Sequence, residues 1–351
     1  MDKELMGKTV RAMIAKGKGL LAADESAGTC EKRFASQNIP CTEETRRTYR
    51  ELLFTAPGME ESISGVILFD ETIRQKTHDG IPFAEYLAGK GVVPGIKVDK
   101  GAKALAFFPG EQVTEGLDGL RDRLKEYFQA GARFAKWRAV INIGSGIPTE
   151  TCINANSHAL ARYAALCQEA DIVPVVEPEV LLDGEHSIER CYEVTEAALG
   201  SLFNELRRQK VSNEHVILKA SMVLSGNKAQ NRAGVPQVAE ETVKCLKRSV
   251  PATLPGVVFL SGGQTDLDAT AHLDAINRIG GAPWPLTFSY SRALQAAALR
   301  TWAGNPGNAK SAQQAFLHRA RMASLASLGR WAPELEKISS YCFFLVLIIM
   351  S

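Results

Sequence analysis

The sequence predicts an α/β protein in which parallel strands alternate with helices and close into a barrel. Eight short apolar runs recur along the 351 residues, with amphipathic, charge-rich segments between them. Apolar runs that alternate with helices predict strands buried on both faces of a parallel sheet. Eight such units favour a closed barrel. The alternative, an open doubly wound sheet, ordinarily has a glycine-rich GxGxxG turn after its first strand, and that motif is missing.

The predicted elements follow one another at regular intervals. The strands are expected at 20–23, 65–69, 92–98, 133–138, 172–177, 216–220, 257–261 and 286–290. Helices are expected at 117–130, 155–169, 188–208, 238–247 and 293–302, and a mixed-charge amphipathic stretch precedes the first strand. We therefore predict a (β/α)8 TIM barrel with an N-terminal helical extension, as a single domain over 1–335, followed by an atypical apolar C-terminal tail over 336–351.

The composition excludes several classes of protein. The 41 basic and 39 acidic residues nearly cancel, which argues against a nucleic-acid partner held by a basic surface. The seven cysteines are odd in number and contain no CxxC, and no secretion signal is evident, so we expect free thiols and a cytoplasmic location. The histidines form no local pair and HExxH is absent, so no metal is expected.

A lysine near the end of an apolar strand is the first candidate catalytic residue. Lys219 follows Val216-Ile217-Leu218, and lysine is rarely buried unless it is paired or neutralised. An amine in an apolar site gives up its proton more readily, and the neutral amine attacks carbonyl groups. The alternative is a strand-end lysine that reaches water or pairs with a carboxylate.

Other charged residues stand at the ends of the neighbouring predicted strands, where barrels of this kind place their active sites. Alternation puts Glu177 and Glu179 on one face of a strand, and Lys136 and Arg138 on one face of another, with Trp137 turned toward the helices. Lys97 and Asp24 end two further strands. A purely structural network would require nearly complete pairing among these groups.

Two segments are candidate phosphate sites. Ser261 and Gly262 offer a hydroxyl and backbone N–H groups, and Arg292 stands at the start of a predicted helix, whose N-terminus favours anions. Ser26, Thr29, Lys32 and Arg33 follow Asp24 and form a second candidate. Ordinary helix capping by serine or threonine is the alternative at both places.

Several of these segments resemble class I fructose-1,6-bisphosphate aldolase, the metal-free Schiff-base type. The matching stretches are LLAADESAGT (20–29), GIKVDKG (95–101), FAKWR (134–138), ARYAALCQEADIVPVVEPEVL (161–181), ILKASMV (217–223), VVFLSGGQ (257–264) and LTFSYSRALQ (286–295). They run in order through nearly the whole chain, from about residue 5 to about residue 335.

The resemblance implies a (β/α)8 barrel, commonly a homotetramer, that reversibly cleaves fructose 1,6-bisphosphate to dihydroxyacetone phosphate and glyceraldehyde 3-phosphate without a metal or other cofactor. It implies Lys219 as the Schiff-base lysine, Glu177 as the acid–base residue, and Asp24 and Glu179 as partner carboxylates. The supporting bases and phosphate ligands that it implies are Lys97, Lys136, Arg138, Ser261, Gly262, Arg292, Ser26, Thr29, Lys32 and Arg33.

The chain also departs from the resembled family. Ser291 stands where glycine is usual, and the terminal tyrosine that many members carry is replaced by an apolar run at 341–350, too short to span a bilayer. Two alternatives therefore stay open: the same chemistry on fructose 1-phosphate or sedoheptulose 1,7-bisphosphate, and a scaffold that kept the barrel but lost turnover.

Overall fold

A computed structural model describes residues 1–337, so the predicted apolar run at 341–350 lies outside the described residues. In chain order the strands are β1 (Gly19–Ala23), β2 (Ile63–Leu68), β3 (Val93–Lys97), β4 (Ala102–Ala104), β5 (Gln112–Thr114), β6 (Phe134–Ile141), β7 (Val173–Val180), β8 (Ile217–Ala220), β9 (Val257–Phe259) and β10 (Leu286–Tyr290). The helices are α1 (Lys3–Met13), α2 (Ala27–Ala35), α3 (Glu43–Phe54), α4 (Asp70–Ile73), α5 (Phe83–Gly89), α6 (Leu120–Gln129), α7 (Glu150–Glu169), α8 (Ile188–Arg208), α9 (Val235–Ser249), α10 (Asp266–Ile279), α11 (Arg292–Trp302) and α12 (Ala309–Ala326).

Eight of the strands close into a parallel barrel in the order β1-β10-β9-β8-β7-β6-β3-β2, while β4 and β5 form a separate antiparallel pair. The predicted (β/α)8 TIM barrel is confirmed, and α1 is the predicted N-terminal helical extension. The open doubly wound sheet is excluded because β1 pairs with β10 and thereby closes the sheet.

Each predicted strand is present, but three predicted ends were wrong. We expected strands to stop at residues 138 and 177, whereas β6 and β7 continue to Ile141 and Val180 in unbroken parallel register. Their charged side chains point into the barrel mouth and do not end the strands. The strand expected at 257–261 ends at Phe259, and the chain then turns through Gly262 and Gly263, whose φ angles are +51° and +89°. The β4–β5 hairpin was not predicted, because its strands are only three residues long.

The amino-terminal end of the barrel is filled by apolar side chains. The buried faces of α1 and of six strands form one cluster, which contains Met6, Val10, Met13, Leu20, Ala22, Ile67, Phe134, Val173, Val175, Ile217 and Val258. Gly95 makes room for the largest of them, since a Cβ on Gly95 would overlap the Phe134 ring. The helix α1 therefore plugs the barrel and closes the end opposite the carboxyl ends of the strands.

A second and larger core lies between the barrel and the surrounding helices. Trp137 is fully buried there, and its ring lies 5.5 Å from that of Tyr163 on α7. The outward direction predicted for Trp137 is confirmed, which places its neighbours Lys136 and Arg138 on the inner face. The six cysteines at described positions are free thiols, as expected.

None of the helices within residues 1–337 combines the length and the hydrophobicity that a membrane-spanning helix needs.

Candidate active site

A polar cavity of about 670 Å³ opens at the carboxyl ends of the barrel strands. Every site residue predicted from the sequence lines it: Lys219, Glu177, Asp24, Lys136, Glu179, Lys97, Arg138, Ser261, Gly262, Arg292, Ser26, Thr29, Lys32 and Arg33. These residues come from seven strands or from the loops and helices that follow them, so closure of the barrel is what brings them together.

A chain of alternating charges crosses the floor of this cavity. Lys219 Nζ lies 2.9 Å from Glu177 Oε1, and Lys136 Nζ lies 3.2 Å from Glu177 Oε2. Lys136 Nζ also lies 2.7 Å from Asp24 Oδ2. All four residues are buried, with at most 9% of each exposed. Two lysines and two carboxylates therefore balance one another, which removes most of the cost of burying any one of them alone.

The electrostatics of this chain favour ionised carboxylates. Burial opposes the charge of Asp24, but Lys136 and Lys219 outweigh it and hold the pKa of Asp24 well below its ordinary value. Burial likewise opposes the charge of Glu177, and the same two lysines lower its pKa. Burial works against the ammonium of Lys136, yet Asp24 and Glu177 raise its pKa above the ordinary range. Both carboxylates are thus ionised in the folded enzyme.

Two further ion pairs flank the central chain. Lys97 Nζ lies 2.9 Å from Asp99 Oδ1, and the guanidinium of Arg138 pairs with Glu179 through Nε. Burial disfavours the charge of Arg138, but Glu179 raises the pKa of that guanidinium. The Arg138 side chain is 41% exposed, whereas that of Glu179 is 10% exposed. Arg138 therefore extends from the buried carboxylate into the open cavity.

The two candidate phosphate segments lie side by side on the cavity rim, because one follows β9 and β10 and the other follows β1, the strand that pairs with β10. Ser261 and Gly262 follow β9, and Arg292 opens α11. Ser26 is the N-cap residue of α2, yet its hydroxyl makes no capping hydrogen bond and lies 3.2 Å from Thr29 Oγ1. The capping alternative is therefore wrong for the Ser26 side chain, which stays available to a ligand.

The sequence did not single out the residues that support this rim. Glu25 is 8% exposed and pairs with Arg50 of α3 at 2.5 Å, between its Oε2 and Arg50 Nη1. Arg50 lies 25 positions further along the chain, so no local pattern joins the two. Ser289 was also missed, although it lies between Phe288 and Tyr290 and alternation alone turns it inward; its buried hydroxyl lines the cavity and bonds to none of the described residues.

No group of three or more His, Cys, Asp or Glu side chains is arranged to hold a metal ion within the described part of the chain.

A closed (β/α)8 barrel with a charged cavity at the carboxyl ends of its strands defines a barrel enzyme. Comparison with known proteins identifies the enzyme family. The family model for fructose-bisphosphate aldolase class-I matches residues 4–343, so the chain belongs to the class I fructose-bisphosphate aldolase family and is a carbon–carbon lyase.

Individual relatives agree with this assignment. The chain is 62% identical over 332 residues to a probable fructose-bisphosphate aldolase class 1 of Xanthomonas axonopodis pv. citri, covering 94% of this chain and 99% of the relative. It is 52% identical to the cytosolic fructose-bisphosphate aldolase 4 of Arabidopsis thaliana, covering 91% and 82% of the two chains. A solved structure of Plasmodium falciparum fructose-bisphosphate aldolase, in complex with TRAP and a small-molecule inhibitor, superposes with a TM-score of 0.92 at 46% identity and covers 94% and 95% of the two chains.

Proposed function

We propose that this enzyme cleaves fructose 1,6-bisphosphate reversibly through a Schiff base on Lys219, giving dihydroxyacetone phosphate and glyceraldehyde 3-phosphate. The observation that carries the proposal is the buried chain Lys219–Glu177–Lys136–Asp24 at the carboxyl end of the barrel. It supplies an amine, an acid–base group, a fixed cation and a second carboxylate within one line of ion pairs.

Formation of the Schiff base needs one proton to move between Lys219 and Glu177. Their 2.9 Å contact supports transfer of the lysine proton to the glutamate as the amine attacks the C2 ketone. The addition gives a carbinolamine, and Glu177 returns its proton to the C2 hydroxyl, which leaves as water. The product is an iminium cation on C2 that accepts the electron pair of the adjacent bond.

Cleavage of the C3–C4 bond needs a base for the proton of the C4 hydroxyl. We assign this role to Asp24 in preference to Glu177, because Asp24 is an ionised carboxylate held beside Lys136, and Glu177 is already engaged with Lys219. The C4 oxygen then forms the aldehyde, and the bonding pair moves into the iminium to give an enamine. Protonation at C3 and hydrolysis release dihydroxyacetone phosphate and restore the free amine.

The two rim segments would hold the two phosphates. Ser261, Gly262 and Arg292 are proposed for one phosphate, and Ser26, Thr29, Lys32 and Arg33 for the other. Binding both ends of the sugar fixes the reacting carbons over Lys219, so that remote binding energy contributes to orientation. Lys97, Arg138 and Glu179 would contact the sugar between them.

The proposal extends to the metabolic role, the location and the assembly of the enzyme. We infer a metal-free glycolytic and gluconeogenic role in the cytoplasm, supported by the class I family and by the cytosolic plant relatives. A homotetramer, a single domain over 1–335 and the absence of a nucleic-acid partner are proposed with it.

Borohydride trapping tests the mechanism directly. Incubating the enzyme with dihydroxyacetone phosphate and sodium borohydride reduces any iminium to a stable secondary amine, which mass spectrometry of the digested protein locates. We expect the adduct on Lys219. An adduct on another lysine, or none in an enzyme that cleaves fructose 1,6-bisphosphate, would overturn the assignment. A sample that binds sugar phosphates but neither forms an adduct nor cleaves them would support the scaffold alternative.

A further inference from the structure

Ser291 joins the two segments that carry the proposed phosphate ligands. It lies directly before Arg292 at the start of α11, and its position as N-cap residue predicts a hydroxyl turned to the helix backbone. The side chain makes no such capping bond. Its Oγ instead donates to Glu25 Oε1 at 2.6 Å. Glu25 lies in the loop after β1, and β1 is the barrel neighbour of β10, the strand that precedes Ser291.

Glu25 is the anchor of this connection. Arg50 Nη1 lies 2.5 Å from Glu25 Oε2, and Gln295 Nε2 donates to Oε1 at 2.9 Å. Burial opposes the charge of Glu25, but Arg50 and Arg33 outweigh it and lower its pKa. The carboxylate is therefore ionised and held from several sides, so it is a rigid acceptor for the Ser291 hydroxyl.

Arg33 is the group that this anchor holds at the cavity. Its Nη1 pairs with Glu25 Oε1 and donates to Ser291 Oγ at 3.1 Å. Within residues 1–337, Nη1 is the only side-chain atom of Arg33 with a hydrogen-bond partner; 24% of the side chain is exposed and it lines the cavity. One nitrogen is thus tied back to the protein, while Nε and Nη2 remain for an anion.

We propose that Ser291 is a positioning residue that orients Arg33 for the second phosphate of the substrate and so sets the preference for ketoses with two phosphates over ketoses with one. This inference rests on the proposed function, since it assigns Arg33 to a phosphate subsite. Only a hydroxyl can accept from Arg33 and donate to Glu25 at once, which fixes the guanidinium before substrate arrives. A side chain without that hydroxyl leaves Arg33 one contact and more rotamer freedom, which binding must then remove.

The test compares S291A with the wild-type enzyme on fructose 1,6-bisphosphate and fructose 1-phosphate. S291A removes the hydroxyl and keeps the Cβ, so the backbone is little affected. We expect KM for fructose 1,6-bisphosphate to rise about fivefold, as for the loss of one ordinary hydrogen bond, with kcat nearly constant. KM for fructose 1-phosphate should change much less, and S291T, which restores the hydroxyl, should recover the preference.

A double-mutant cycle with R33A separates positioning from a general structural role. In the R33A background, the change S291A should have little further effect on KM for the bisphosphate. Equal effects of S291A on both sugars, additive effects of S291A and R33A, or no effect at all would overturn the inference. Circular dichroism and thermal unfolding of each variant identify any that fail to fold, and S291T then provides the comparison.

The same measurements distinguish this inference from the proposed function. If the wild-type enzyme cleaves neither sugar and gives no borohydride adduct on Lys219, the proposed function fails. If the wild-type enzyme does both and S291A leaves the ratio of the two substrates unchanged, only the role of Ser291 fails.

Discussion

The two ends of the barrel are built from the same strands but have opposite chemistry. On β6, Phe134 belongs to the apolar plug, and Lys136, two residues later on the same face, belongs to the charged cavity. Val175 and Glu177 repeat this on β7. On these two strands, the side chain that packs in the apolar plug and the side chain that lines the charged cavity are therefore only two residues, or about 7 Å, apart.

The comparison teaches how a barrel keeps buried charge close to its core without unfolding. The plug provides a dry, closely packed floor, and the charged layer above it is complete only because Lys136 bridges two carboxylates. Stability should thus depend on the plug and catalysis on the charged layer. The following predictions test this division, from the largest expected effect to the smallest.

Replacing the nucleophile should abolish turnover without unfolding the enzyme. We expect K219M to lower kcat for fructose 1,6-bisphosphate by at least about 10³-fold, because the proposed mechanism forms the iminium on the Lys219 amine. Glu177 keeps Lys136 as a partner, so the midpoint of denaturant unfolding should fall little. The matched control is K228M at an exposed lysine, which should retain activity. A K219M enzyme with more than a tenth of the wild-type kcat would contradict the assignment.

Removing the acid–base carboxylate should have a smaller effect on catalysis. In E177Q, kcat should fall by about 10²–10⁴-fold, the range for loss of general acid–base catalysis, and the borohydride adduct should form more slowly. Lys136 stays paired with Asp24 in this variant, so the rest of the charged layer keeps its partner. The control is E115Q at an exposed position. Unchanged rates of adduct formation would remove Glu177 from the iminium step.

Truncating a side chain in the apolar plug should have the opposite result, with a loss of stability and little change in catalysis. Met13 is fully buried at the end of α1, and M13A should lower the free energy of unfolding by about 3 kcal/mol, as for other large-to-small core changes. The folded variant should keep kcat and KM within about twofold, since Met13 does not line the cavity. The control I279A truncates a side chain that is 45% exposed and should cost less than about 1 kcal/mol. A large loss of activity in folded M13A would break the division between the two ends.

Acid pH should weaken the active-site end through His272. Its Nδ1 lies 2.6 Å from Gln264 Oε1, in the turn that carries Ser261 and Gly262. Burial lowers the pKa of His272 from 6.5 to about 4, an effect that Asp268 partly opposes and Arg232 supports. The folded state thus favours the neutral ring, while the unfolded chain binds a proton below about pH 6.5.

Stability should consequently fall as the pH drops from 6.5 to 4, with a contribution from His272 of up to about 3 kcal/mol. H272Q carries no titrating group there and should lose less stability over this interval than the wild-type enzyme. The measurement is urea unfolding of both proteins at several pH values. Parallel curves for the two proteins would show that His272 does not titrate as described.

Most of the fold could be predicted from the sequence because the patterns that indicate strands and helices are local. Apolar runs and the helical segments between them placed all eight barrel strands, and alternation correctly turned Trp137 outward and Lys136 inward. The wrong strand ends have a common cause. Charged residues at 138 and 177 look like the end of a buried strand, whereas in a barrel mouth they are the inner face of a strand that continues.

The composition and pattern of the chain by themselves determined the barrel, the lysine near the end of a buried strand and the charged residues around it. Only the tertiary structure decided how those charges pair, because Coulomb and hydrogen-bond energies depend on distances between residues far apart in sequence. Lys136 bridges Asp24 and Glu177, and Ser291 turns from its helix to Glu25, through contacts that span 112, 41 and 266 positions of the chain. No local pattern encodes such contacts; they exist because closing the barrel brings its strand ends together.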